Sequence, residues 1–259
     1  MNLQSNHDPA LCCGSARYPS EGLLHDVASR RRRADKILAI LDDALGDNIE
    51  SLRCLDIGCA SGLVTERLAR RFELAIGLEY DARSLSLRET FAQHDARLIQ
   101  ADALELPFGD ASIDVVICAQ VYEHVANAEQ LASEIHRVLG PKGVCFFSGP
   151  NRLDPIERHY GLPFLSLLPR SMASALLRWT GKGEVYDISP RTWWGLRRLW
   201  RRFAVTDYTV EMIRHPGRYH CRAELGSLSW IGRLPQWLLS IGQPLFPNYN
   251  WVLRKREVA

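Results

Sequence analysis

The stretch LDIGCASG, residues 55–62, decides the fold of this 259-residue chain. It closes an apolar run that begins at Arg53, and such a short run is typical of a buried strand. The glycines at 58 and 62 allow a sharp turn and a close approach of the backbone to a ligand. Ser61 is placed to cap a following helix, in which Val64, Leu68 and Phe72 share one side. A strand, a glycine turn and a helix in this order predict the first unit of an α/β domain.

Downstream of this unit, further strands alternate with helices. Strands that are apolar on both faces indicate a parallel sheet covered on both sides. We expect strands over Arg53–Cys59, Leu74–Asp81, Arg97–Asp102, Ile113–Gln120, Gly143–Gly149, Ala204–Val210 and Asn250–Arg254. Helices are expected from about Ser29 to Gly46, after Ser61, through about His94, over Asn127–Leu139 and Ser171–Trp179, and after Ser189-Pro190. The fold class is α/β, a doubly wound, mostly parallel seven-stranded Rossmann-like sheet with a terminal antiparallel pair and inserted substrate-side elements.

Composition excludes a disordered or collagen-like chain, because 46% of residues are apolar and glycine and proline show no period. Charge is unevenly distributed. Residues 1–150 hold 15 Lys and Arg against 22 Asp and Glu, whereas 151–259 hold 17 against 8 together with all seven tryptophans. We therefore expect a flexible segment over 1–28, a cofactor-binding part over 29–151, and acceptor-side elements with the last two strands of the same domain over 152–259.

The cysteine pattern and the hydropathy favour a cytoplasmic protein without a structural metal. The seven cysteines form no C-x-x-C pair, so no metal site is expected, and no secretory signal is visible. The longest uncharged stretch, Leu234–Leu253, contains three prolines and cannot span a bilayer as a continuous helix.

Polar residues follow the first three predicted strands, where doubly wound sheets bind their ligands. Gly58-x-x-x-Gly62 lacks the G-x-G-x-x-G spacing of a dinucleotide site, which argues against a nicotinamide-dependent oxidoreductase. Glu79 lies 21 positions after Gly58, where a carboxylate accepts ribose hydroxyls, and Asp102 follows the third strand. A ribose acceptor without a pyrophosphate cradle predicts a nucleoside ligand.

Five segments in this order resemble the class I S-adenosylmethionine-dependent methyltransferases. They are LDIGCASG (55–62), GLEYD (77–81), QADALELPF (100–108), IDVVICAQ with VYEHV (113–125), and EIHRVLGPKGVCFFSGPN (134–151). The resemblance implies S-adenosyl-L-methionine as cofactor, held by Asp56, Gly58, Gly62, Glu79, Tyr80, Asp102, Ala103, Leu104 and Gln120. Ala60 departs from the pattern, since many relatives carry a third glycine there.

Four residues are expected on the acceptor side. His124 follows the fourth strand, and its ordinary pKa of about 6.5 suits a general base, although a structural or gating role is equally open. Asn151, His159 and Tyr160 follow the fifth strand and are expected to contact the substrate, with a buried loop as the alternative.

The resulting expectation is a methyltransferase acting on an O, N or C nucleophile of a small acceptor. The basic, tryptophan-rich part favours an anionic or lipid-linked acceptor, and the segment around HYGLPF resembles enzymes that modify surface glycans or lipid-linked precursors. GLPFLSLLP (161–169) and LPQWLLSIGQPLF (234–246) suit a peripheral membrane contact, with packing on the core as the alternative. A quinone or other small-metabolite methyltransferase and a non-catalytic S-adenosylmethionine-binding regulator stay open. No nucleic-acid partner is expected, and the oligomeric state is left open.

Overall fold

The computed structural model describes residues 27–46, 49–86 and 96–256, and their strands form one large sheet and one small hairpin. The strands are β1 (Arg53–Ile57), β2 (Leu74–Glu79), β3 (Arg97–Gln100), β4 (Ile113–Ala119), β5 (Leu139–Pro150), β6 (Ile156–Glu157), β7 (Leu162–Pro163), β8 (Phe203–Asp207) and β9 (Asn248–Lys255). The large sheet has the order β3-β2-β1-β4-β5-β9-β8. Its first five strands are parallel, and β9 pairs antiparallel with both β5 and β8. The expected fold class is confirmed.

Helices cover both faces of this sheet. They are α1 (Val27–Leu45), α2 (Leu63–Ala69), α3 (Ala82–Ser86), α4 (Ala128–Val138), α5 (Arg170–Thr180), α6 (Trp193–Leu199), α7 (Thr209–Arg214), α8 (Arg222–Leu225) and α9 (Gln236–Gly242). A separate hydrophobic core lies on each face of the sheet. On one face, β4 residues such as Val116 pack with α4 and α6; on the other face, the intervening β4 residues such as Val115 pack with α1, α2 and α7. Because neighbouring strand residues face opposite cores, both faces of the parallel sheet are apolar.

Several elements agree closely with the sequence pattern. The helix predicted over Asn127–Leu139 is α4, and Asn127 caps it by accepting a hydrogen bond from the amide of Gln130 at 3.0 Å. The helix after Ser189-Pro190 is α6, and its apolar residues Leu196 and Leu199 are buried. The helix is shorter than its predicted stripe: Trp200 caps its end and Phe203 begins β8, although both are buried.

Other elements differ from the prediction. Ser61 does not cap α2: Gly62 occupies the cap position at φ 84°, and the buried Ser61 hydroxyl has no hydrogen-bond partner in the described part of the chain. The strand predicted over Ala204–Val210 ends at Asp207, because the Asp207 carboxylate accepts the amide of Thr209 and the chain turns into α7. The fifth strand starts earlier than predicted, at Leu139.

Some predictions fall wholly or partly outside the described residues. The polar helix expected through about His94 is described only as α3, and 87–95 lie outside the described ranges, as do 1–26 of the expected flexible segment. The five cysteines in the described ranges are free and buried. No helix within those ranges is long and apolar enough to cross a membrane.

Trp200 is a sensitive point of the core because it connects α6 to the sheet. Its side chain is fully buried and its ring lies 5.1 Å from Phe147 and 5.7 Å from Phe203. We expect Trp200→Ala to lower the free energy of unfolding by about 3–5 kcal/mol. Chemical denaturation measures this loss. Arg201→Ala, on the exposed side of the same turn, is the control and should change stability by less than about 0.5 kcal/mol.

Candidate functional site

A cleft opens where β1, β2, β3 and β4 end, which is the edge at which a doubly wound sheet binds ligands. Its walls combine apolar side chains, carboxylates and one imidazole, with no Lys or Arg among the described lining residues. They are Ile57, Gly58, Leu78, Glu79, Tyr80, Ala101, Asp102, Ala103, Leu104, Gln120, Val121, His124, Val125 and Ala126. The structure thus brings together eight of the predicted site residues at one edge.

The glycine turn after β1 forms the floor of the cleft. Gly58 has a φ of 72°, and a Cβ there would lie 2.7 Å from Cγ2 of Val121, so only glycine fits without displacement. Ala60 is also left-handed, with a φ of 50°, at the position where the resemblance expects a third glycine. Gly62, at φ 84°, faces Leu98 and shapes the entry to α2 without lining the cleft.

Glu79 at the end of β2 holds this turn in place. Its Oε2 accepts a hydrogen bond from the amide of Ala60 at 2.9 Å, and its Oε1 accepts from the amides of Tyr80 and Asp81 at 2.9 and 3.0 Å. A carboxylate offers about four lone-pair positions, so the three amides leave about one for a ligand hydroxyl. The carboxylate is therefore fixed in direction before a ligand arrives.

Asp102 and Gln120 follow β3 and β4, the two strands that flank β2 and β1 in the sheet. Asp102 accepts the amide of Leu104 through Oδ1 at 2.8 Å, and this turn presents Ala103 and Leu104 to the cleft. Gln120, left-handed at φ 61°, donates its side-chain amide to Oδ1 of Asn248 at 2.9 Å. This hydrogen bond joins the end of β4 to the start of β9.

Asp56 lies below the cleft and does not line it. Its buried carboxylate accepts the hydroxyl of Thr65 at 2.7 Å, which ties β1 to α2. Burial raises the pKa of Asp56 to about 6, although the Thr65 hydrogen bond acts in the opposite direction.

His124 lines the cleft where it follows β4, and three further side chains, which are not part of the lining, lie next to it: Glu123, His159 and Glu157. The Nε2 of His124 lies 4.0 Å from Oε1 of the fully buried Glu123, and its ring packs edge-on at 5.0 Å from the ring of His159. His159 contacts Glu157 through Nδ1 at 2.7 Å. The structure therefore joins two predicted residues to two carboxylates that the sequence analysis did not select.

The electrostatics of this group differ from residue to residue. Burial lowers the pKa of His124 to about 4, and the charge of His159 adds to the effect, so its imidazole is neutral and weakly basic at neutral pH. Burial would also lower the pKa of His159, but the hydrogen bond and charge of Glu157 raise it. Burial raises the pKa of Glu123 to about 7, and neither oxygen of Glu123 has a hydrogen-bond partner in the described residues.

Two predicted substrate residues have their polar atoms engaged elsewhere. The side-chain amide of Asn151 donates to the carbonyls of Pro244 and Phe246 and to the Tyr249 hydroxyl, all within 2.9 Å. The Tyr160 hydroxyl donates to Asp187 at 3.1 Å. Asn151 thus joins the two inserted segments to the sheet, and neither residue lines the cleft.

A second cavity, of about 360 Å³, lies away from the cleft and has a basic lining. Arg214, His215, Arg218 and Arg222 contribute to it, and Arg218 pairs with Asp43 of α1. Sequence analysis missed this cavity. The spacing of its arginines at 214, 218 and 222 is the signal that was available.

Comparison with known proteins gives consistent results. The family described as "Methyltransferase domain" matches residues 55–147. A probable S-adenosylmethionine-dependent methyltransferase of Mycolicibacterium smegmatis is 39% identical over 38% of this chain and 38% of its own length. A ubiquinone biosynthesis O-methyltransferase of Brucella ovis is 32% identical over 52% of each chain. The chain thus spans about half or less of the length of these curated relatives.

The fold agrees with that of solved methyltransferases. The crystal structure of an S-adenosylmethionine-dependent methyltransferase from Mesorhizobium loti covers 85% of this chain and 98% of its own, with a TM-score of 0.55 and 18% identity. At this identity the likeness concerns the fold alone.

The raised pKa of Asp56 predicts a pH-dependent stability. An ordinary pKa of 3.8 in the unfolded chain and about 6 in the folded one mean that the folded state holds the proton more tightly. Its contribution to stability is present below about pH 4 and is lost as the pH rises through about 6. Asp56→Asn can still accept the hydrogen bond of the Thr65 hydroxyl but has no proton to lose. This variant should therefore not lose stability at this position as the pH rises. The free energy of unfolding of the variant relative to the natural chain should therefore rise by ~3 kcal/mol between pH 4 and pH 7. A difference that stays constant over this range, measured by urea denaturation, would contradict the assignment.

Proposed function

We propose that this chain is a member of the class I S-adenosylmethionine-dependent methyltransferase superfamily and an active methyltransferase that uses S-adenosylmethionine. One observation carries the proposal. Glu79, Asp102 and the glycine turn after β1 converge on a single cleft at the carboxyl edge of the parallel sheet. The matched domain, residues 55–147, contains all three.

The residues of the cleft fit this cofactor. S-adenosylmethionine presents ribose hydroxyls, an adenine amino group and positive charge, and it carries no phosphate. The carboxylates of the lining are the acceptors Glu79 and Asp102, and its described residues include no Lys or Arg. Leu104, Ala103 and Leu78 supply apolar walls for a base. Glu79 would hold the ribose and Asp102 the adenine. A dinucleotide would instead require donors for its pyrophosphate, which favours the methyltransferase over an oxidoreductase.

The catalytic contribution of the chain is mainly positioning. When bound, S-adenosylmethionine supplies a methyl group on a positively charged sulfur, so the carbon needs no further activation. Alignment of two reactants contributes strongly to such a displacement. Val121 and His124 at the end of β4 would place the acceptor, while the three amides on Glu79 keep the cofactor side rigid. With a pKa of about 4, His124 is a poor base at neutral pH, which favours a role as a ligand or a positioning residue.

We propose further that the acceptor is a lipid-linked molecule met at the surface of an anionic membrane. The support comes from an exposed apolar segment over 228–245, in which Trp230, Trp237, Ile241 and Leu245 are each more than half exposed. The 3-10 helix over 226–233 in this segment packs against α7 and α8, which carry arginines of the basic cavity. Exposed tryptophans beside arginines suit the boundary between lipid tails and anionic headgroups.

A quinone acceptor is the second candidate. The curated relative of Brucella ovis is a ubiquinone biosynthesis O-methyltransferase, and its similarity extends over 52% of this chain. A quinone precursor with an isoprenoid tail would use the same apolar segment. Its methylated atom would be a phenolic oxygen, whereas a glycan precursor offers alcohols.

The first test measures cofactor binding. Titration calorimetry with S-adenosylhomocysteine should show saturable binding, and Glu79→Ala should weaken it by at least ~1–3 kcal/mol, because the variant loses the ribose acceptor and releases the amide of Ala60. Glu73→Ala, at the exposed residue directly before β2, is the control and should bind as the natural chain does. Saturable binding of NAD(H) without binding of S-adenosylhomocysteine would overturn the proposal.

Activity is tested with methyl-labelled S-adenosylmethionine and fractionated cell extract. Label is expected in the lipid fraction, with loss of incorporation in Glu79→Ala. Label confined to a water-soluble metabolite would contradict the lipid-linked acceptor, and cofactor binding with no labelled acceptor would favour a regulator over an enzyme.

The membrane contact is tested by vesicle sedimentation. The chain should bind vesicles of phosphatidylcholine with phosphatidylglycerol more strongly than vesicles of phosphatidylcholine alone, and added salt should weaken the binding. A Trp230→Ser, Trp237→Ser double variant should lose most of this binding. The control is Trp179→Ser on α5, which removes a tryptophan that is 84% exposed outside the segment. Equal losses in the two variants, or equal binding to both vesicles, would contradict this surface.

A further inference from the structure

A cluster of two imidazoles and one carboxylate lies at the cleft. One ligand atom from each of Glu123, His124 and His159 lies within 4.8 Å of the others. Glu123 and His124 follow β4, whereas His159 lies between β6 and β7, so the fold brings them together from two separate loops. Nitrogen from imidazole and oxygen from carboxylate are ligands that divalent transition metals accept.

Glu123 is the first independent sign of a ligand. Its side chain is fully buried, and no other residue in the described ranges donates a hydrogen bond to either carboxylate oxygen; the one donor nearby is its own backbone amide. A buried polar group without a partner destabilises a fold by ~1–3 kcal/mol, and a charged group destabilises it by more. A cation between Glu123 and the two imidazoles would supply the missing partner.

Glu157 is the second sign. It lies 2.7 Å from Nδ1 of His159 and also accepts the amide of Tyr160 at 2.8 Å, so its position is fixed from two sides. A metal-binding histidine usually donates its other ring nitrogen to a carboxylate, which sets its tautomer and direction. With Nδ1 on Glu157, His159 keeps Nε2 as the nitrogen with a lone pair.

We propose that Glu123, His124 and His159 bind a divalent transition-metal ion of the Zn²⁺ type. Tetrahedral Zn²⁺ with bonds of about 2.0–2.1 Å places its ligand atoms roughly 3.4 Å apart. Because the three ligand atoms lie within 4.8 Å of one another, the side chains must approach by up to about 1.4 Å. Three protein ligands leave a position open, as in catalytic rather than structural zinc sites.

A catalytic role of this ion rests on the proposed methyltransferase function, whereas the binding of the ion does not. His124 lines the cleft, so the open position of the ion would lie beside the acceptor. An acceptor hydroxyl bound there would have a lowered pKa and would release its proton to water, leaving a more nucleophilic oxygen. This role gives His124 a function that its weak basicity does not provide.

The experiment measures Zn²⁺ binding to the metal-free full chain by calorimetry, without S-adenosylmethionine. One equivalent should bind, and Co²⁺ in its place should give a visible absorption band of a low-coordinate site. Glu123→Gln should weaken Zn²⁺ binding at least tenfold, and Glu157→Gln should weaken it by about 10–100-fold through His159. The control is His215→Ala, because His215 forms a histidine–carboxylate pair with Glu211 at the surface, at 3.4 Å.

Stability provides a second readout. In a chelator, Glu123→Gln should be at least as stable as the natural chain, because it replaces a buried carboxylate by a neutral amide. Zn²⁺ should raise the melting temperature of the natural chain and of His215→Ala more than that of Glu123→Gln. The metal proposal is overturned if the natural chain binds no Zn²⁺, or if Glu123→Gln binds it equally well. Zn²⁺ binding without any methyl transfer would instead count against the proposed function alone.

Discussion

The cleft depends on the hydrogen bonds of one carboxylate. Glu79 ends β2 and accepts the amide of Ala60, which belongs to the turn after the neighbouring strand β1. Parallel pairing sets this contact, since Ile57 lies opposite Leu78 in the register and the two strands end side by side. Charge-assisted hydrogen bonds are about twice as strong as neutral ones. They hold Ala60 in a left-handed conformation that a non-glycine residue otherwise avoids.

The same geometry explains why the cofactor side could be predicted from the sequence. A residue that directly follows a buried parallel strand must lie at the carboxyl edge, so Gly58, Glu79 and Asp102 were placed by the strand pattern alone, whereas Gln120 was selected through the family resemblance. Local signals worked equally well for α4, where Asn127 precedes an apolar stripe. The local signals failed at Val210, because an apolar residue can be buried equally well by a strand or by a helix. The sequence pattern extended the strand to Val210, whereas the chain turns at Asp207 and Val210 lies in α7.

The acceptor side depends on contacts that are distant in the sequence. His124 and His159 were selected one at a time, and nothing in their spacing of 35 residues indicates that their rings meet. Glu123 was missed because a carboxylate that follows a strand is typical of an exposed loop residue. In the structure this loop is held against the sheet, since Tyr122 donates a hydrogen bond to the carbonyl of Pro150 at 2.6 Å, and Glu123 is buried. Asn151 was placed at the correct strand end, but its amide is used to hold the chain near Pro244.

The charge division between the two parts of the chain has a partial structural explanation. Arg191 pairs with Glu129 at 2.6 Å and Arg218 with Asp43, so basic residues of the second part meet acidic residues of the first. One pair has the charges reversed, with Lys36 from the first part and Glu224 from the second. Exposed ion pairs of this kind contribute little to stability, typically 0–1 kcal/mol. The two parts are joined far more firmly by the antiparallel pairing of β5 with β9 and by the buried aromatic rings around Phe147. The arginines that line the second cavity are therefore available for the membrane contact proposed above without a loss of this firmer connection.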